Sequence, residues 1–314
     1  MRFFKWWNFR KSSFPFVYSD EYWLTDIGNH VFPVKKYRVL YERLLLCGFK
    51  RESFLVPEPA SDEDLLLVHT SRYIKKLKTG SLSPEEIAKL ELPFSPALLR
   101  FAWLTVGGTV LTSRCAVEHG LAVHLGGGFH HAFPDHGEGF CLLNDIAVAV
   151  EKLRREGRTH RAMIVDCDLH QGNGTAAILA GRSDVFTFSI HQMDVYPAEK
   201  PPSSLDVGLW SGDGDAEYLS ALRAYFPRLY KSFAPDLVIY LAGADPYEKD
   251  KLGGLSLTKE GLRERDRLII EGARALRIPV AVVLAGGYAV DFEDTVAIHL
   301  NTVRVARRAW KKYP

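Results

Sequence analysis

The chain has few of the features that mark a secreted, membrane-embedded or nucleic-acid-binding protein. Only four cysteines, Cys47, Cys115, Cys141 and Cys167, are scattered through 314 residues, with no Cys-x-x-Cys pair. This excludes a disulfide framework and points to reduced thiols in a cytoplasmic setting. No apolar stretch reaches the roughly 20 residues that span a bilayer. Forty basic residues against 38 acidic ones leave a net charge of +2, too small to predict direct contact with nucleic acid. Internal repeats, low-complexity segments, long linkers and runs of acidic residues are also missing. A single domain with a substantial core is therefore expected.

The first eleven residues, MRFFKWWNFRK, interleave aromatic and basic side chains. They lack the apolar core of roughly 7–15 residues that a secretory signal needs. They are read as a strap packed on the domain surface, with an interfacial membrane anchor as the other reading. Residues 1–15 are accordingly set apart as an N-terminal extension, and 16–314 as the functional domain.

Four short apolar runs end in residues with chemistry: GLAVHLGGGFHH, RAMIVDCDLH, DLVIYLAGAD and PVAVVLAGGY. Runs of this kind bounded by glycine read as buried strands of a parallel sheet. Between them lie amphipathic stretches such as LLNDIAVAVEKLRREG, AEYLSALRAYFPRLYKSF and GLRERDRLIIEGARAL. The alternation predicts an α/β fold with helices on both sheet faces. Capping signals at Ser61 and Ser83 predict helix starts, the first helix continuing to a stop at Gly80. A basic helix is predicted from Asp294 to about Lys312, its cations suited to a helix C-terminus.

Ligand crevices in open α/β sheets lie beyond the carboxyl ends of the strands. His130, His131, Asp166, Asp168, His170, Asp245 and Tyr288 should therefore meet on one rim. On an extended strand Asp166, Asp168 and His170 would share a face. Asp168 and His170 could then reach one cation, with Asp245 as third ligand, leaving a coordination position open for water. Two carboxylates and one imidazole suit Zn²⁺ and would also accept Fe²⁺, Co²⁺ or Mn²⁺. No further carboxylates are spaced to bridge a second ion. One of the paired histidines can then take a proton from water while the other stays charged, and Tyr288 can donate to a developing oxyanion.

Together the motifs HLGGGFHH, EGFCLLNDIAVA, DCDLHQGN, GADPYEKDKLGGLSLT and LAGGY closely resemble the histone deacetylase family. The resemblance runs from about Phe16 to about Val303, and within the family it is most similar to class IV and bacterial deacetylase-like amidohydrolases. It implies the arginase–deacetylase fold, a mainly parallel sheet of about eight strands sandwiched by helices. It also implies Zn²⁺ on Asp168, His170 and Asp245, with His131 as general base and later proton donor. His130 becomes its electrostatic partner, bonded to Asp166, and Tyr288 polarises the scissile carbonyl. Gly139 and Phe140 would line an acyl-lysine tunnel, with Tyr196 opposite and Leu252 at its rim. A structural K⁺ would rest on Asp166, Ser189 and the carbonyls of Asp168, His170 and Ile190.

One position departs from the class I pattern: Asn173 stands where an Asp would orient the second histidine. A neutral partner stabilises imidazolium less, so Asn173→Asp is expected to raise the acidic limb of the pH–rate profile. The expected activity is deacylation of acyl-lysine in a peptide or protein. An acetylpolyamine or other small amide is the nearest alternative substrate, and a non-catalytic acyl-lysine binding module is the alternative of another class. Six histidines (His69, His119, His124, His136, His160 and His299) are read as structural or surface residues, and His30 and His191 as lying in site-lining segments.

Overall fold

The computed structural model describes residues 13–314. The strap expected in residues 1–11, and with it any membrane contact, lies outside these. Eight parallel strands form one sheet in the order β2-β1-β3-β8-β7-β4-β5-β6. The strands are β1 (Phe16–Val17), β2 (Phe54–Leu55), β3 (Leu121–His124), β4 (Ala162–Asp166), β5 (Val185–Gln192), β6 (Leu205–Leu209), β7 (Leu237–Leu241) and β8 (Val280–Val283). The central four, β3, β8, β7 and β4, are buried along their whole length. Full burial on both faces explains why they read as unbroken apolar runs instead of alternating ones.

The α-helices of the described residues are α1 (Lys35–Leu46), α2 (Asp62–Leu65), α3 (Ser71–Thr79), α4 (Pro84–Leu90), α5 (Pro96–His119), α6 (Asp145–Arg155), α7 (Asn173–Leu179), α8 (Asp215–Phe233), α9 (Lys259–Ala275) and α10 (Phe292–Lys312). One layer contains α5 with α6 and α7. The other runs from α1 through α10 and α9 to α8. Among the described residues no helix is long and apolar enough to cross a membrane.

The caps follow from the side chains. Ser83 accepts from the Glu86 amide while Glu86 accepts from the Ser83 amide, a complete capping box with Pro84 at the first helical position. Gly80 closes α3 in the left-handed conformation. Between Ser61 and Gly80 the expected single helix is two. The first turn ends at Leu65, and Thr70 caps a fresh start at Ser71. The His69 amide still reaches the Leu65 carbonyl (2.8 Å), and the path breaks at Thr70, whose amide bonds instead to the Pro134 carbonyl (2.8 Å). Beside the break the buried His69 ring bonds through Nδ1 to the Phe133 carbonyl and accepts the Asn144 amide at Nε2.

Candidate active site

The four runs that carry chemistry end side by side. His130 and His131 follow β3, Tyr288 follows β8, Asp245 follows β7, and Asp166 to His170 follow β4, which are four consecutive strands at the centre of the sheet. Arg265 of α9, wholly buried, braces two of these strand ends. Its Nη1 donates to the carbonyls of Gly243 (2.6 Å) and Cys167 (3.2 Å), while Asp266 accepts from Nε and Nη2. A guanidinium so paired keeps its charge in the interior because its donors are satisfied.

The Asp166–His170 segment is not the extended strand expected. β4 stops at Asp166, and residues 168–170 bend. The carboxylates themselves cause this. Asp166 accepts the Asp168 amide (3.1 Å), Asp168 accepts the His170 amide (3.0 Å), and Asp245 accepts the Leu169 amide (3.0 Å). Asp side chains capture backbone N–H groups two residues on and so replace ladder bonds with turn bonds. Asp168 and His170 still converge, through a turn and not by strand alternation.

Ligand atoms of Asp168, His170 and Asp245 lie within 4.8 Å of one another, and all three residues are buried. His170 Nδ1 is 3.3 Å from Asp168 Oδ1 and 3.6 Å from Asp245 Oδ2. The latter oxygen is buried with no hydrogen-bond donor. An unpaired buried carboxylate oxygen is costly unless a cation meets it. Burial would lower the His170 pKa, yet Asp168 and Asp245 outweigh it and lift it to about 10. The set therefore fits a divalent cation. The fit also needs glycine at 286, where φ is +53° and a Cβ would stand 2.4 Å from Asp245 Oδ2.

The paired histidines have different partners. His130 Nδ1 is 2.7 Å from Asp166 Oδ2, and its Nε2 faces Asp168 at 3.7 Å. Burial opposes its charge, but Asp166 and Asp168 prevail and raise its pKa to about 9. His131 Nδ1 is 2.7 Å from Asn173 Oδ1. Burial, then the neighbouring His130 and His170, hold its pKa well below the ordinary histidine value.

Tyr288 is kept a neutral phenol by burial and by the nearby Asp245 and Asp168. Its loop is held by Asp250, which accepts the Tyr288 amide (2.7 Å) and the Leu252 amide (2.9 Å). Burial and Asp245 raise Asp250 to about 7. Behind the loop, buried Lys36 donates to the Gly286 carbonyl. Burial lowers its pKa to about 8 against the pull of Asp245, Asp168 and Asp250.

These groups open into a cavity of about 200 Å³, lined among others by Gly139, Phe140, Tyr196 and Leu252. Phe140 takes a left-handed backbone (φ +66°), uncommon for a bulky side chain. Bonds from the Gly139 and Phe140 amides to the Lys89 and Leu90 carbonyls hold it there. Its ring lies edge-on to His30 (4.9 Å) and 6.0 Å from Tyr288. Gly139 is required too, since a Cβ would come within 2.8 Å of the Tyr196 hydroxyl. Tyr196 packs edge-on against His131 at 4.9 Å.

Asp166 and Ser189 sit in register across β4 and β5, with the Ser189 hydroxyl bonded to His191 Nδ1 (2.9 Å) and Ile190 next along the strand. His124 is a satisfied core residue between Tyr22 and Thr109. His136, read as a structural or surface residue, reaches Glu138 at 3.2 Å. Sequence reasoning misses Lys36, Asp250 and Glu138. It also misses Asp145, whose carboxylate accepts the Gly128 and Phe129 amides and fixes the glycine turn.

Residues 30–303 match the Histone deacetylase domain. An uncharacterised protein of Picosynechococcus sp. is 41% identical over 94% of this chain and 98% of its own length. Histone deacetylase 2 of Arabidopsis thaliana is 33% identical, covering 87% of this chain and 74% of that protein. Acetoin utilization protein AcuC of Bacillus subtilis is 33% identical over 81% and 71%. The crystal structure of an HDA15 HD domain superimposes with a TM-score of 0.78 at 23% identity, over 93% of this chain and 90% of that one, and so shares the fold. With a domain match across most of its length and relatives of this likeness, the chain belongs to the histone deacetylase family.

Proposed function

We propose that the chain hydrolyses N-acyl amides, with an acyl-lysine side chain of a peptide or protein as substrate. The observation that carries this reading is the meeting, at one narrow cavity, of a buried two-carboxylate, one-imidazole ligand set and a histidine held as a neutral base. Zn²⁺ on Asp168, His170 and Asp245, with Fe²⁺ or Co²⁺ as substitutes, would supply Lewis acidity and lower the pKa of water.

The protein's own groups divide the remaining work. His131, with Nδ1 engaged by Asn173, turns Nε2 toward the site to take the proton of the attacking water. The Tyr288 phenol donates to the carbonyl oxygen as it gains charge, and the His130 imidazolium, paired with Asp166, stabilises the tetrahedral oxyanion. His131 then returns its proton to the departing lysine amine. Phe140, Gly139 and Tyr196 give the four-methylene lysine stem apolar walls, with Leu252 at the mouth. A structural K⁺ on Asp166, Ser189 and the Asp168, His170 and Ile190 carbonyls belongs to the same reading, supported by the register of Asp166 and Ser189.

The test is a panel of lysine peptides acylated from acetyl to myristoyl, with acetylspermidine in parallel, run on zinc-reconstituted protein. Release of acid from the peptides, lost on chelation and restored by Zn²⁺, is expected. Preferential turnover of acetylspermidine would move the substrate to small amides. Binding without turnover of any substrate would overturn the reading.

A further inference from the structure

An amide behind a histidine base differs from a carboxylate because its two ends are unlike. Asp offers an acceptor from either oxygen. Asn offers oxygen from one end and N–H from the other. Oxygen first, it holds the His131 proton on Nδ1 and leaves Nε2 free as a base. Nitrogen first, it selects the opposite tautomer and blocks the base.

The orientation is set from behind. Asn173 Nδ2 lies 2.6 Å from Glu138 Oε1. An ionised carboxylate only accepts hydrogen bonds, so the amide nitrogen must face Glu138 and the oxygen must face His131. Glu138 is 5% exposed and surrounded by donors. Its Oε1 also accepts the Tyr196 hydroxyl (2.9 Å), and Oε2 meets Lys89 Nζ (2.7 Å) and His136 Nε2 (3.2 Å). Burial works against its charge, but these hydrogen bonds prevail and keep it ionised. The Tyr196 hydroxyl that bonds to Glu138 belongs to the ring packed edge-on against His131.

We propose that Glu138 is a positioning residue that selects the base tautomer of His131 through Asn173 and fixes the flanking ring through Tyr196. The inference rests on His131 being the base in the proposed function.

An isosteric swap tests it. In Glu138→Gln, Lys89 and His136 hold the new amide oxygen, so its N–H₂ faces Asn173 and turns that amide over. kcat should fall on the order of tenfold to a hundredfold with little change in KM, short of the roughly 10⁴-fold cost of a fully wrong tautomer in a serine protease. Asn173→Asp alone sets two carboxylates against each other and also loses activity. In the Glu138→Gln/Asn173→Asp double variant the amide introduced at position 138 donates to the carboxylate introduced at position 173. The pair at 138 and 173 is again matched, the half-exposed Tyr196 hydroxyl turning its proton to solvent, and kcat should recover at least tenfold over either single variant. A merely structural role predicts losses that multiply, and that result would overturn the proposal. Ring ¹⁵N shifts of His131, identified by their loss in His131→Gln, give a readout independent of turnover. The parent should show Nδ1–H, and Glu138→Gln should populate Nε2–H. An unchanged tautomer would reject the role of Glu138 even in a protein that hydrolyses nothing, whereas absent turnover with the expected tautomers would reject only the hydrolase reading.

Discussion

His130 and His131 are adjacent in the chain, with ring centroids 4.1 Å apart, yet the fold gives them opposite tasks. Asp166 stands behind the first and raises it to about 9, while an amide stands behind the second and burial with its histidine neighbours lowers it. Two imidazoles with pKa values pushed apart form an acid–base pair in which the roles are already assigned. The carboxylate that could have charged the second ring is present, one hydrogen bond further back, at Glu138. Distance from the imidazole turns that charge from a pKa-raising neighbour into an orienting one.

The largest effect should come from removing the neutral member. His131→Ala takes away the base and the later acid, and kcat on an acyl-lysine peptide should fall by about 10²- to 10⁴-fold. His130→Ala and Tyr288→Phe each remove one stabiliser of the oxyanion and should cost about 10²- to 10³-fold. If His130→Ala proved the more damaging of the two histidine changes in steady-state assays, the assignment would have to be exchanged.

The next effect is on pH dependence. With Asn173 as its partner, neutral His131 should persist below the ordinary histidine range, placing the acidic limb of kcat/KM low. A carboxylate at 173 favours imidazolium and should move that limb up by about one unit. Asn173→Asp alone confounds the measurement, because Glu138 is 2.6 Å from the amide it replaces and two such carboxylates share a proton. The Glu138→Gln/Asn173→Asp swap keeps one carboxylate, now next to the imidazole. An unshifted limb in that variant would mean the group behind His131 does not control its charge.

How far the contrast is legible without coordinates depends on how each residue is announced. Asp168, His170, Asp245 and Tyr288 each follow an apolar strand, so their meeting on one rim follows from sheet topology alone. The turn that brings Asp168 to His170 reads as strand in the sequence because alternation and Asx bonding use the same spacing. Arg265 lies in RERDR, a stretch that reads as a solvated helix face, and its burial depends on carbonyls from two distant strand ends. Glu138 lies in a polar loop, FPDHGEG, with nothing local to distinguish it. Its partners Tyr196, Asn173 and Lys89 come from other elements, and only tertiary packing brings them together.

The smallest predicted effect concerns stability and isolates Glu138 from catalysis. Its carboxyl sits below the unfolded value of 4.5: burial raises it, and bonds from His136, Lys89, Asn173 and Tyr196 more than compensate. A depressed folded pKa contributes stability that is fully present above about pH 4.5 and is lost as pH falls toward the folded value. Gln does not titrate, so Glu138→Gln should lack this contribution at every pH. In thermal melts from pH 7 to pH 3, the Tm gap between parent and variant should be widest above pH 4.5 and should narrow below it. Other acids titrate equally in both proteins and cancel in the difference. A constant gap across that range would mean that Glu138 is not held as an anion by its donors, and an uncharged Glu138 could not force the Asn173 amide to turn its oxygen toward His131.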